Sequence, residues 1–156
     1  MRTLSRDDIT AILPHRPPML LVDWARLDGE GEITARKAVT EDEPCFVAES
    51  LRGVSGAMVY PVSLVVESFA QAGLILWKVA RRAGAEDSGG VPLFGSLKDG
   101  SVEGEAFPGD VLEHRIRLDK AMPDAAFLSG ETWVGQRRIL TVGLLVAVAR
   151  PSPRGA

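Results

Sequence analysis

The sequence predicts an α+β fold in which five or six strands surround one long, enclosed helix. Three observations point there. Val62 to Ala80 is apolar around nearly its whole circumference at helical length, so something sheet-like has to cover it on several sides. Leu112, His114, Ile116 and Leu118 alternate with Glu113, Arg115, Arg117 and Asp119, which is the period of a half-buried strand. Ala126 to Val134 and Arg137 to Arg150 are two further strand-like runs, joined by Gly135-Gln136 in the manner of a tight hairpin with glycine at its first central position.

The elements follow in chain order. Ser5-Arg6-Asp7-Asp8 has the form of a capping box, in which the Ser5 hydroxyl accepts from a first-turn amide and Asp8 reaches back. Ile9, Ile12 and Leu13 then recur at helical spacing, and a short helix is expected to end near Pro14. Met19 to Leu27 and Glu32 to Thr40 read as two strands around the turn Asp28-Gly29-Glu30-Gly31. Thr40 to Tyr60 shows neither period and is broken by Pro44, Gly53 and Gly56, so a long irregular loop is expected. Pro61 suits the first turn of the central helix, where its missing N-H costs nothing, and that helix should run to about Ala83-Gly84. Val91 to Leu97 and Ser101 to Ala106 are expected as strands on either side of a turn at Asp99-Gly100, with Pro108-Gly109-Asp110 turning into the alternating segment.

A chain of 156 residues, 46% hydrophobic and 25% charged, suits one domain, taken as residues 1–150 with a loose tail over 151–156. The formal charge is -3, and lysine and arginine are scattered apart from pairs such as Arg81-Arg82 and Arg137-Arg138. No stripe follows a phosphate backbone, which argues against nucleic acid as a partner. One cysteine, Cys45, excludes an internal disulfide framework and fits a reducing, cytoplasmic setting. With only His15 and His114 there is no cluster at metal-ligand spacing. The first residues lack the apolar core of a signal peptide, and Glu67, Gln71 and Lys78 interrupt the long helix, so it reads as a core element and not a membrane span.

Chemistry concentrates on that helix. Ser63, Glu67 and Gln71 lie four residues apart and share one face of an element otherwise built for burial. A carboxylate enclosed there would keep its proton toward neutral pH and could act as a general acid; the competing reading is a structural, hydrogen-bonded Glu. His15, between Leu13-Pro14 and Arg16-Pro17-Pro18, reads as part of a rigid turn. His114 should face the core beside Leu112 and Ile116, and Cys45 reads as a small buried hydrophobe.

Several segments, LPHRPPMLLVD at 13 to 23, DEPCF at 42 to 46, PVSLVVESFAQAGLIL at 61 to 76 and more faintly PGDVLE at 108 to 113, resemble the hot-dog-fold 3-hydroxyacyl-(acyl carrier protein) dehydratases of fatty acid synthesis. The resemblance runs from about Ile9 to Ala149. It implies a curved antiparallel sheet wrapped round the helix, a dimer, and a tunnel at the subunit interface. It also implies that Glu67 is the helix glutamate of the site, that Gln71 is the glutamine one turn on, and that a partner-subunit histidine follows the DEPCF-like segment. Here that place reads Val47-Ala48-Glu49-Ser50-Leu51, and the glycine whose amide would polarise the thioester carbonyl is Val62, leaving the Val62 and Ser63 amides to donate.

Three functions fit this pattern. One is reversible dehydration of 3-hydroxyacyl thioesters, with Glu49 and Glu67 as a carboxylate pair sharing a proton. The second is thioester hydrolysis using Glu67, which needs no histidine. The third is a non-catalytic acyl-carrier binding or partner subunit. All three imply an acyl-carrier-protein or coenzyme A thioester as ligand, an acyl carrier protein as partner and a dimer, with no metal and no organic cofactor. A basic rim near Arg16, Arg81 or Arg82 would suit an acidic carrier.

Overall fold

The computed structural model describes residues 1–51, 58–84 and 91–150. Seven antiparallel strands form one sheet: β1 (Arg2–Leu4), β2 (Trp24–Gly29), β3 (Glu32–Ala38), β4 (Val91–Val102), β5 (Val111–Ala121), β6 (Ala125–Val134) and β7 (Arg137–Arg150), in the spatial order β1-β2-β3-β5-β6-β7-β4. Three helices accompany them: α1 (Arg6–Ile12), α2 (Pro44–Leu51) and α3 (Val62–Gly84). The curved sheet wraps α3, as the patterning required.

Burial explains the arrangement. Residues 68–77 of α3 are all buried, and Phe69, Leu74, Ile75 and Trp77 pack with Ile33, Leu112, Leu128 and Leu145 of the sheet. The helix is long and apolar enough to cross a membrane by length and composition, yet here those side chains fill the concave face. Alternation on β5 sends Leu112, His114 and Ile116 inward, opposite Lys37, Ala35 and Ile33 of β3. The α1 capping box forms, with Ser5 Oγ accepting from the Asp8 amide at 3.1 Å and Asp8 Oδ2 accepting from the Ser5 amide at 2.9 Å. The Gly135-Gln136 hairpin forms too, with Val134 opposite Arg137 and Gly135 at φ 57°.

Four expectations change. The strands number seven, because Arg2–Leu4 adds a short edge on β2, with Leu4 opposite Ala25, that is too brief to show a period. Met19 to Asp23 is not strand, because the Met19 and Leu20 amides bond back to Arg16 O and the Gln71 side chain takes Met19 O and the Leu21 amide, leaving Asp23, whose amide donates to Arg36 O, as its one bond to β3 among the described residues. The expected loop at 40–60 contains α2, which buries Phe46 against Tyr60 at 6.1 Å; two turns are too few to display helical periodicity. Asp99-Gly100 is no turn: β4 runs straight through it, with Asp99 at φ 51° lying over Gly143 of β7. A Cβ at Gly143 would lie 2.7 Å from the Asp99 Cβ, so glycine there lets the irregular strand stay paired.

On the convex face a polar row crosses five strands in register: Trp24, Arg36, Glu113, Trp133 and Arg138. Arg36 lies over the Trp24 ring and pairs with Glu113, and Arg115 joins Glu113 to the Trp133 ring. Cation, anion and aromatic thus alternate across neighbouring strands, the favourable arrangement for cross-strand pairs.

Candidate functional site

The site is built on one face of α3, where Ser63, Glu67, Gln71 and Lys78 recur at intervals of four, four and seven. The side chains grade from exposed Ser63 through half-buried Glu67 to fully buried Gln71. Gln71 spends its amide completely: Nε2 donates to Met19 O at 2.7 Å and to Glu67 Oε1 at 2.9 Å, and Oε1 accepts from the Leu21 amide at 2.9 Å. It therefore touches Glu67 and the 19–21 backbone, and no N-H is left for a substrate. Among the expected catalytic groups, Gln71 is thus the one that bonds directly to Glu67.

Glu67 keeps 30% of its side-chain surface, so the enclosure from which its acid role was inferred is not met. The ridge carrying it opens onto a cleft of about 210 Å³ between α3 and β4, lined by Val66, Glu67, Ala70, Phe94, Leu97 and Leu145. A second hollow of about 310 Å³, mostly apolar, lies at the N-terminus of α3 against Tyr60, Val62, Val65, Ile139 and Leu140. A larger depression, about 470 Å³, lies by the convex face with Asp28, Arg115, Arg117 and Glu131 in its lining. Those charges pair with neighbours there, and none of the expected site residues is among its lining, so we place the site at α3.

Val62 and Ser63, expected to contact substrate, form the exposed first turn of α3. The first intrahelical bonds belong to Leu64 and Val65, both donating to Pro61 O, so the two preceding amides have no intrahelical acceptor, as at any helix start. Glu49 falls in the last turn of α2, and its side chain lies outside the described residues. The tail over 151–156 lies outside them as well.

The residue that sequence reading set aside is His15. Its Nε2 lies 3.4 Å from Glu67 Oε1, while its Nδ1 is buried with no hydrogen-bond partner among the described residues. Nothing local in LPHRPPM reveals this contact, because it joins positions 52 residues apart through the fold. His114 is fully buried as expected, with Nε2 2.8 Å from Ser68 Oγ and Nδ1 2.8 Å from Thr132 Oγ1. Burial lowers its pKa to about 3, which keeps the ring neutral and structural. Among the described residues no group of acidic, histidine and cysteine side chains could hold a metal.

Comparison with known proteins finds relatives over most of the chain. The family model described as a FabA-like domain matches residues 13–143. A 3-hydroxyacyl-(acyl-carrier-protein) dehydratase FabZ of Herpetosiphon aurantiacus is 37% identical over 118 residues, covering 75% of this chain and 78% of the relative. The FabZ of Pseudothermotoga lettingae is 32% identical over 145 residues, covering 92% and 96%. In structure, the dehydratase heterocomplex ApeI:P from Xenorhabdus doucetiae superposes with a TM-score of 0.72 at 17% identity, covering 91% of this chain and 90% of the other.

Proposed function

The chain belongs to the FabA-like family, and from that premise we propose that it catalyses the reversible loss of water from 3-hydroxyacyl thioesters of acyl carrier protein in fatty acid biosynthesis. The observation that carries this reading is the Glu67 carboxylate, held by the buried Gln71 amide at the edge of a cleft on the central helix. A carboxylate oriented in this way can exchange protons with the reacting carbons of a bound acyl chain. The Val62 and Ser63 amides sit one turn before Glu67 and would donate to the thioester carbonyl, stabilising charge that develops there. The apolar hollow beside Val62 shares the first turns of α3 with that cleft and suits the aliphatic part of the substrate.

The assembly is a soluble, cytoplasmic homodimer in this reading. A cleft of about 210 Å³ is smaller than the roughly 300–1,000 Å³ usual for small-molecule sites, so a second wall is needed to enclose the substrate. The cleft borders β4, the edge of the sheet, where Leu93, Phe94, Leu97 and Val102 are exposed. A second copy docked along β4 would cover those side chains and close the cleft.

Mass spectrometry of purified protein with 3-hydroxyacyl and 2-enoyl carrier-protein thioesters tests the proposal. Gain or loss of water is expected, and Glu67→Gln should lower turnover by about two orders of magnitude or more. Release of free acid would assign hydrolysis instead. Survival of every thioester across several chain lengths would leave the chain as a binding or partner subunit.

A further inference from the structure

Resting on the dehydratase reading of this site, we propose that the buried Lys37–Glu43 ion pair is a positioning pair, which sets the first turn of α3 and so aims the Val62 and Ser63 amides at the thioester carbonyl.

A lysine is unexpected at this place in the sheet. Lys37 belongs to β3, and alternation turns it to the concave face with Ile33 and Ala35, opposite the fully buried Leu112 of β5. A charge taken out of water there needs a partner of opposite sign. Glu43, itself buried, supplies it: Lys37 Nζ donates to Glu43 Oε1 and also to Ala38 O at 2.6 Å. Among the described residues no other lysine or arginine, and no other aspartate or glutamate, is buried. Such a pair adds little net stability over apolar side chains of the same size, because desolvation offsets the attraction. What it adds is one defined geometry, since each buried charge must meet the other.

That geometry reaches the site through Tyr60. Glu43 O accepts from the Phe46 amide at 2.9 Å and from the Val47 amide at 3.1 Å, so Glu43 sits at the start of α2. The Phe46 ring then meets the Tyr60 ring at 6.1 Å, and Lys37 Nζ lies 5.9 Å from the centre of that same Tyr60 ring. Tyr60 is buried, and its amide donates to Ala106 O at 2.8 Å. Strand β3, helix α2 and the segment between β4 and β5 thus all hold one residue. Pro61 follows it directly, with φ fixed by its ring, and Pro61 O takes the Leu64 and Val65 amides that begin α3. The Val62 and Ser63 amides lie between the anchored Tyr60 and those first helical bonds, so their direction follows Tyr60.

The carboxylate is anchored separately. Glu67 is bonded by Gln71, which is fastened to Met19 O and the Leu21 amide and has no contact with the pair. Loosening the pair therefore shifts the carbonyl donors and leaves Glu67 in place. Donors aimed at a developing oxyanion matter more in the transition state than in the bound substrate, so the loss falls on kcat and not on KM.

Replacing both partners together tests this without leaving a lone charge in the core. In the full-length protein, with thermal melts to confirm folding, the double variant Lys37→Met, Glu43→Leu should lower kcat for a 3-hydroxyacyl carrier-protein thioester by about tenfold or more, with KM within about threefold of wild type. Amide exchange followed by mass spectrometry should quicken over residues 60–65 and stay unchanged over the buried stretch 68–77. Wild-type kcat in the double variant would overturn the proposal. So would unchanged exchange over 60–65, or a raised KM with kcat untouched. If the double variant does not fold, Phe46→Leu carries the test, because it keeps the pair and loosens its hold on Tyr60. A fall in kcat at steady KM there supports the proposal, and wild-type kcat overturns it. Wild-type inactivity on every 3-hydroxyacyl and 2-enoyl thioester would overturn the dehydratase reading, and the catalytic role of the pair with it. The exchange measurement needs no turnover, so it still reports whether the pair holds the helix start.

Discussion

At the scale of single residues, two buried polar side chains show how differently a hydrogen-bonding group can be used. Gln71 is fully buried and bonded to Met19, Leu21 and Glu67, so Gln71→Leu would strand a backbone amide and a carbonyl that have no other partner among the described residues. A loss of about 2–3 kcal/mol in urea-melt stability is expected, together with a fall in kcat as Glu67 loses its donor. His114 belongs to the core instead, where burial lowers its pKa from 6.5 to about 3. Between those values the unfolded chain binds a proton that the folded chain refuses, so stability is full above pH 6.5 and declines as pH falls toward 3. The slope is on the order of 1 kcal/mol per pH unit. Unfolding free energies measured from pH 7 to pH 4 should show that decline, and His114→Gln should flatten it relative to wild type. An equal slope in both would show that the ring does not resist protonation in the fold.

At the scale of elements, the strands are tied together by close backbone approach as much as by side chains. A Cβ at Gly130 of β6 would lie 2.2 Å from Arg115 O and 2.9 Å from Ile116 Cα on β5, and neither atom can swing away as a side chain does. The register of the β6-β7 pair shifts between Leu128 and Gly130, so the glycine allows the sheet to bend around α3. Gly130→Ala is expected to cost about 2–3 kcal/mol, read as a lowered denaturation midpoint. An unchanged midpoint would mean that the two strands separate there at little cost. The convex row from Trp24 to Arg138 adds exposed pairs worth only tenths of a kcal/mol each, so its loss would matter far less.

At the scale of the whole molecule, β4 is the unpaired edge opposite β1, and its exposed Leu93, Phe94, Leu97 and Val102 border the cleft that holds Glu67. A long apolar edge strand is an invitation to pair with another chain unless something covers it. Sedimentation velocity should therefore find a dimer, and the double variant Phe94→Glu, Leu97→Glu should shift it to monomer while lowering turnover. A wild-type protein that sediments as a monomer at micromolar concentration would remove the second wall from the proposed site.

Local chemistry in the sequence determined the elements that repeat a pattern long enough to be read: the capping box at Ser5, the helix from Val62 to Gly84, the alternation on β5, the hairpin at Gly135 and the inward His114. It also picked out Glu67 and Gln71, because polar groups four apart on an apolar helix are conspicuous. Short elements escaped it, since three residues of β1 and eight of α2 are too few to establish a period. The contact between His15 and Glu67 escaped for a different reason. It depends on how the 12–21 segment is bound across the helix, a matter of tertiary hydrogen bonds between residues far apart in the chain, and so only the folded structure brought that histidine to the carboxylate.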